Sequence, residues 1–206
     1  MKNGRNFLYR MIISMLALTV MLGFTSCGEK EEEETGTFIS VDQDGSIQSE
    51  IVESFSEERY DKDELQSMIL GELAVYNKKA GNGITVEKVE MDGDEVVVKM
   101  SYATGTDYAA FNNVNFFAGT AGEAQNAGYE LNVVLSGVKD SQETVGRSDI
   151  LAMENVGIVI TDIEERIALS GRALYVSDGV EVSSNGKAVR KSGEDKKMMY
   201  VIYSMK

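Results

Sequence analysis

Residues 84–102 read ITVEKVEMDGDEVVVKMSY. Two β-prone runs in this stretch flank Asp92-Gly93, and such a dipeptide is typical of a hairpin because both turn positions tolerate positive φ. Four side chains of the second run alternate along the strand and therefore share one face: Val96, Val98, Met100 and Tyr102. We predict a β-hairpin with one apolar face.

A helix is predicted directly before this hairpin. Asp61 can cap its start while Glu64 reaches back in a capping box, and Gly81 follows two lysines at its end. Its apolar residues recur at helical spacing: Leu65, Met68, Ile69, Leu73 and Tyr76. This apolar stripe must pack on a sheet.

Weaker helix signals follow the hairpin. Asp107 precedes one short helical segment, 114–117 looks like a strand, and Thr120 begins a second capping-box pattern that ends before Gly128. We expect two short helices around one short strand, with Ser148 opening one further helical turn.

Short β-prone runs make up most of the remaining sequence. Two runs, 38–41 and 47–55, flank the turn at Asp42-Gln43-Asp44-Gly45 and indicate another hairpin. Later runs are separated by turn dipeptides: 131–135, 156–160, 167–169, 173–176, 180–182 and 198–203. Without regular βαβ spacing, this pattern predicts an α+β fold, a mostly antiparallel sheet with one clear helix and one or two short helices.

The composition excludes many familiar chemistries. The chain has 206 residues with no His, no Trp, no Pro and one Cys. Zinc sites built on His and Cys, Ser-His-Asp and Cys-His nucleophiles, His-ligated haem and disulfide frameworks are therefore ruled out. We predict no cofactor, no catalytic residue and no metal site.

The first 26 residues differ from the rest of the chain. An apolar run over 11–22 ends at Gly23 and follows three basic residues: Lys2, Arg5 and Arg10. This layout is typical of a secretory signal peptide. A membrane-spanning helix needs roughly 20 apolar residues, so a retained transmembrane anchor is the less favoured alternative.

The only cysteine follows this leader directly, in Phe24-Thr25-Ser26-Cys27. The charged start, the apolar core and the lone cysteine together resemble the signal peptide and lipobox of bacterial lipoproteins, with Phe24 where that family usually has Leu. The resemblance implies cleavage before Cys27 and a diacylated N-terminal cysteine. Two or three acyl chains would hold the protein at the membrane, since each buried methylene contributes about 0.8 kcal/mol.

Three segments are predicted: a lipoprotein signal peptide over 1–26, an acidic tether over 27–36 and a single α+β extracytoplasmic domain over 37–206. The tether contains four consecutive glutamates and can extend to about 30–35 Å. Loss of the leader removes three positive charges from the net charge of −14 and leaves −17. Such a charge repels nucleic acid, so no nucleic-acid partner is expected.

The densest aromatic stretch supplies a candidate ligand surface, because irregular segments on a rigid scaffold often carry function. The residues singled out there are Tyr108, Asn112, Asn113 and Tyr129. The favoured alternative for the aromatic residues is that Phe111, Phe116 and Phe117 belong to the core.

Carboxylates offer two further alternatives. The turns at 42–45 and 92–94 could bind a cation, but neither has the ligand spacing of an EF-hand, so hairpin turns are the better interpretation. Glycoside hydrolysis needs only two suitably spaced acids, and 34 acidic residues leave that chemistry open.

Segments 107–112, 119–124 and 174–178 look like parts of uncharacterised small lipoproteins of Gram-positive bacteria. That resemblance implies the outer face of the cytoplasmic membrane and no known activity. The leading hypothesis is a non-enzymatic, lipid-anchored domain that contacts an envelope protein or glycan. The alternative is a carboxylate-based hydrolase that acts on an envelope glycan.

Replacement of Cys27 by alanine should abolish lipid attachment, because the chain has no other thiol. Metabolic labelling with a clickable fatty acid should fall to background in Cys27→Ala. Label that persists on the variant would contradict the lipoprotein hypothesis and favour a retained N-terminal helix.

Overall fold

A computed structural model describes residues 37–55, 61–81, 83–192 and 197–205. The predicted signal peptide, Cys27 and the tether to residue 36 lie outside this part of the chain. Within it there are four helices: α1 (Lys62–Ala80), α2 (Gly105–Asn112), α3 (Ala121–Asn126) and α4 (Arg147–Ala152).

The same described residues form 13 strands, so the fold is mostly sheet and broadly α+β. The first seven are β1 (Phe38–Val41), β2 (Ile47–Ser54), β3 (Ile84–Asp92), β4 (Glu95–Tyr102), β5 (Phe116–Gly119), β6 (Leu135–Gly137) and β7 (Thr144–Val145). The others are β8 (Val156–Thr161), β9 (Arg166–Leu169), β10 (Ala173–Val176), β11 (Val180–Val182), β12 (Ala188–Lys191) and β13 (Met199–Ser204).

Seven of these strands form the first sheet, in the order β11-β12-β9-β1-β2-β4-β3. Its pairings are antiparallel except that β1 lies parallel to β9. The two predicted hairpins, β1–β2 and β3–β4, sit side by side through the antiparallel pairing of β2 with β4. The first sheet therefore joins the N-terminal hairpins to strands from the last third of the chain.

One face of the first sheet forms a continuous core surface. A row of residues in register across four strands shows this: Tyr102, Ile47, Val41 and Leu169. All four are buried. The four apolar side chains that the sequence places on one face of β4 are also buried, and this confirms that prediction.

The second sheet has six strands in the order β5-β8-β13-β10-β6-β7. One of its faces packs against the first sheet through residues such as Val159 and Val201. Its other face packs under α3, α4 and the segment before β6, through residues such as Ile160 and Ile202. Burial on both faces explains why β8 and β13 are almost uninterrupted apolar runs rather than alternating ones.

Helix α1 begins and ends where the sequence predicts. The Asp61 side chain accepts hydrogen bonds from the backbone N–H groups of Asp63 and Glu64, and Gly81 ends the helix in the left-handed conformation with φ 91°. Ile69 and Leu73 are buried in the core shared with the first sheet.

The predicted short elements required corrections. Helix α2 begins before Asp107, and it is capped by the hydroxyl of Thr104, which accepts from the Asp107 N–H at 3.1 Å. The strand expected over 114–117 covers 116–119, because the chain first closes α2 with a left-handed residue at Asn113. The strand expected over 131–135 reduces to β6, and residues 129–134 have no regular structure.

The sequence predicts a single sheet, but the described strands divide between two sheets. The strands β7 and β12 were not predicted at all. Strand β12 pairs with β9 and β11, and it extends the first sheet beyond the parallel β1–β9 pair. Among the described helices, none has both the length and the apolarity to cross a membrane.

Gly171 should be intolerant of any side chain. A Cβ built there would overlap the backbone carbonyl oxygen of Ser204, whereas a Cβ at Gly122 in α3 meets nothing within 4 Å. We expect Gly171→Ala to destabilise residues 37–206 by about 1–3 kcal/mol or more through overpacking. Gly122→Ala should be neutral or stabilising by about 0.5–1 kcal/mol, because alanine is the better helix former.

Urea unfolding measures both effects as shifts of the unfolding midpoint. The comparison requires that the free energy of unfolding depends on urea concentration with the same slope in both variants. A Gly171→Ala midpoint equal to that of the unmodified domain would contradict the packing of this turn against the end of β13.

Candidate functional site

Tyr108, the first residue of the candidate ligand surface, lies in the core. Its side chain projects from α2 and is 7 % exposed. Its ring meets Tyr102 edge-on at 5.1 Å and Phe116 at 4.9 Å between centroids. Burial holds the pKa of the Tyr108 hydroxyl well above its usual value. Tyr108 is therefore part of the core beneath this stretch.

Asn112 sits at the end of α2 and serves the same aromatic cluster. Its side-chain amide donates to the hydroxyl of Tyr102 at 3.3 Å and to the backbone carbonyl of Tyr108 at 3.0 Å. These bonds supply a polar partner to a buried tyrosine, which would otherwise cost free energy. Asn112 therefore has a structural role that its position in the sequence alone does not reveal.

Asn113 is the accessible member of the candidate set. It is exposed, and its φ of 56° places it in the left-handed region that ends α2. Two residues later, the side chain of Asn115 donates to the carboxylate of Asp162 at 2.6 Å. These three residues bring together amide and carboxylate groups at the entry to β5, on the connection between α2 and the second sheet.

Tyr129 belongs to the other core cluster, on the far face of the second sheet. Its ring lies 5.2 Å from Phe117, and its hydroxyl is 3.5 Å from the carbonyl oxygen of Phe116. Tyr108 and Tyr129 thus contact opposite sides of β5 rather than a common cleft. Of the candidate set, Asn113 remains as an exposed position.

The acidic turn at 42–45 is closed by its own hydrogen bonds. In the β1–β2 turn, the Asp44 carboxylate accepts from the hydroxyl of Ser46 at 2.6 Å and from its N–H at 3.0 Å. These bonds lower the pKa of Asp44. Asp42 accepts from the side chain of Gln48 at 3.0 Å. Such bonds satisfy the carboxylates of a hairpin turn without a bound cation.

The other acidic turn, at 92–94, also lies where the sequence predicts and connects β3 with β4. In the part of the chain that the structure describes, no group of three or more His, Cys, Asp or Glu residues is arranged to hold a metal ion.

Glu53 is a carboxyl in an unusual position. It faces Val96 across β2 and β4, in the row of side chains that points toward the core, and it is half-buried. Burial raises its pKa because the charged form is deprived of water. A general acid would need this property, but a glycosidase site also needs a second carboxylate within roughly 5–9.5 Å.

The opposite face of the first sheet carries cross-strand ion pairs beside apolar side chains such as the buried Val97. Lys99 on β4 pairs with Glu50 on β2 at 2.5 Å, and Arg190 on β12 pairs with Glu181 on β11 at 2.7 Å. Exposed pairs of this kind contribute only about 0–1 kcal/mol each. We interpret these pairs as local charge balance between neighbouring strands.

The sequence analysis missed the exposed apolar residues of α1. Leu70 and Val75 are 49 % and 56 % exposed, on the side of the helix away from the buried Ile69 and Leu73. A signal was available, because residues 70, 74 and 75 are apolar yet fall outside the helical stripe that faces the sheet.

Comparison with known proteins identifies no relative of this chain. No protein-family model matches the chain, and no curated protein and no solved structure is detectably similar to it.

Replacement of Glu53 by glutamine should stabilise the domain near pH 7. The raised pKa means that the folded state binds the Glu53 proton more tightly than the unfolded state does. The contribution of Glu53 to stability therefore falls as pH rises from the unfolded-state pKa through the folded-state pKa. Glu53→Gln should raise the urea midpoint at pH 7, and its advantage should shrink toward pH 4.

Glu50→Gln provides the matched control on the same strand, because Glu50 points to the other face and pairs with Lys99. It should not raise the midpoint. An advantage of Glu53→Gln that is the same at pH 4 and pH 7 would show that charge burial is not its cause.

Proposed function

We propose that this chain is a lipid-anchored extracytoplasmic protein whose folded part is a non-enzymatic interaction domain of the cell envelope. The observation that carries the proposal is the leader, in which a basic start and a short apolar run end at the only cysteine, Cys27. The anchor would place the domain at the outer face of the cytoplasmic membrane, within reach of envelope proteins and glycans.

The position of β1 supports the assignment of the preceding residues as a tether. Thr37, the first described residue, is already attached to the sheet, since its hydroxyl donates to the Val52 carbonyl and accepts from the Val52 N–H at 3.1 Å. The described part of the domain thus begins three positions after Glu34, the last glutamate of the acidic run. Ten residues would hold it at most about 35 Å from the cysteine.

Charge at this end of the sheet favours separation from the membrane surface. The end at which β1 starts also contains the end of β2 and the turn between β3 and β4, because β2 runs antiparallel to both β1 and β4. Acidic residues cluster there: Glu53, Asp92, Asp94 and Glu95. Anionic headgroups would repel this end, so an extended tether rather than direct membrane contact is the arrangement we propose.

The alternative, an envelope glycan hydrolase, would use Glu53 as its general acid because its pKa is raised. Burial causes that rise, and among the residues that the structure describes no carboxylate contributes to it. A retaining or inverting pair would add such a contribution, since like charges at close range disfavour ionisation. We therefore favour the interaction domain.

Photo-cross-linking in intact cells tests the proposal. A photoreactive amino acid replaces Asn113 on the exposed part of the candidate surface, with Asn185 in the β11–β12 turn as a matched exposed position. We expect adducts with envelope components from position 113, fewer from position 185, and degradation of the chain by protease added outside protoplasts.

The same experiment with Cys27→Ala should lose these adducts, because the unanchored chain would leave the membrane. Adducts with cytosolic proteins alone, or a chain protected from external protease, would overturn the proposed location.

A further inference from the structure

We propose that the exposed face of α1 is a self-association surface that pairs with the same helix of a second copy of this chain in antiparallel orientation. The face consists of Leu70, Gly71, Ala74 and Val75. All four are exposed, and Leu70 and Val75 are 49 % and 56 % exposed. This inference goes beyond the proposed function, which concerns envelope partners, and the contact that it describes involves only residues of α1.

The four residues form one continuous patch. Residues four apart on a helix are neighbours on its surface, so Leu70 adjoins Ala74 and Gly71 adjoins Val75. A single exposed apolar side chain would need no explanation. Here two large ones flank two small ones on the side of α1 opposite Ile69 and Leu73, which are buried against the sheet.

The charges of α1 indicate that the partner of this face is a second copy of the same helix. Asp63 and Glu64 lie in its first turn, and Lys78 and Lys79 lie in its last turn. A parallel copy would place like charges together at both ends. An antiparallel copy places the acidic turn of each helix beside the basic turn of the other, twice in one symmetric contact. The face is therefore complementary to itself.

The patch also sets the register. Centring the pair on the patch places Leu70 against Val75 of the partner subunit, and Gly71 against Ala74 of the partner subunit. Glu64 then lies within about one helical turn, roughly 5 Å along the axis, of Lys78 of the partner subunit. Nothing lies within 4 Å of a Cβ built at Gly71, so a second helix can approach closely there.

One helix face is small for a protein interface, because stable interfaces bury roughly 1,200–2,000 Å² in total. The contact should therefore be weak and depend on concentration. Confinement of two copies at one membrane would raise their effective concentration without any new contact. Measurement in the cell that makes the full chain is thus more informative than measurement in dilute solution.

Zero-length carbodiimide cross-linking tests the contact directly. It joins a carboxylate to an amine only where the two groups touch, and Glu64 and Lys78 of one helix are about 21 Å apart along its axis. A link between the peptides that carry them must therefore join two copies. We expect links from Asp63 or Glu64 to Lys78 or Lys79 when intact cells with the full chain are treated.

Val75→Glu places a charge in the middle of the patch and should lower the yield of these links about tenfold. Val134→Glu is the matched control, because Val134 is 69 % exposed and lies outside the helices. It should leave the yield unchanged. Absence of the links in the unmodified chain, or an equal yield in Val75→Glu, would overturn the proposal.

Exchange of the charges at Glu64 and Lys78 tests the antiparallel register. This test does not depend on whether one particular variant folds. Glu64→Lys alone and Lys78→Glu alone should each give less cross-linked dimer, because like charges then meet twice. Cells that express both variants together should recover it, since the mixed pair is complementary. Failure of the mixture to recover would overturn the register.

The two proposals can fail separately. Loss of fatty-acid label or of envelope adducts would reject the lipid-anchored interaction domain while the helix links persist. Absence of the helix links from a chain that carries the label would reject self-association alone.

Discussion

The rest of the structure depends on the burial of β8 and β13 from both sides. Four consecutive residues of β8, from Ile158 to Thr161, are buried, and so are five consecutive residues of β13, from Met199 to Tyr203. A buried aliphatic or aromatic side chain contributes about 1.5–3 kcal/mol relative to an exposed one. This layer holds the first sheet on one side and the small helices on the other. The only thiol of the chain lies before this domain in the sequence.

Two-sided burial restricts polar atoms to positions where the chain itself satisfies them. Thr161 is fully buried at the end of β8, where its hydroxyl donates to the Asn115 carbonyl at 2.7 Å and accepts from the Ile163 N–H at 3.2 Å. The same two contacts attach the segment before β5 to the turn after β8. A buried polar side chain thus fixes the position of Asn113 and Asn115 at the entry to β5.

Local signals in the sequence predicted what local physics determines. Asp92-Gly93 and the alternation from Val96 to Tyr102 are enough for a hairpin, and Asp61 with Gly81 is enough for the ends of α1. The parallel pairing of β1 with β9 has no such signal. It joins Ile39 to Ile167, which are 128 positions apart, and only the complete core determines which distant strands meet.

The candidate site illustrates the same limit for side chains. Tyr108 and Tyr129 lie in one aromatic stretch, but β5 separates them into two cores. The apolar run over 114–117 predicts a short strand there, but it does not tell which core each face of that strand joins.

The outer residues of α1 show the opposite case. The apolar pattern of this helix covers both of its sides, but the predicted stripe accounts only for the side that faces the sheet. Spacing of apolar residues identified the stripe that faces the sheet, and that stripe explains why the helix folds against β3. Packing against the sheet satisfies one side of a helix and places no demand on the other. Apolar residues at 70, 74 and 75 therefore gain nothing from the fold of a single copy, whereas the acidic start and basic end of α1 are favourable within that copy because they complement the helix dipole. The helix dipole therefore explains the charges within one chain, but nothing within one chain explains the exposed apolar side chains. Contact with a second chain would explain this apolar patch, because it would remove those side chains from water.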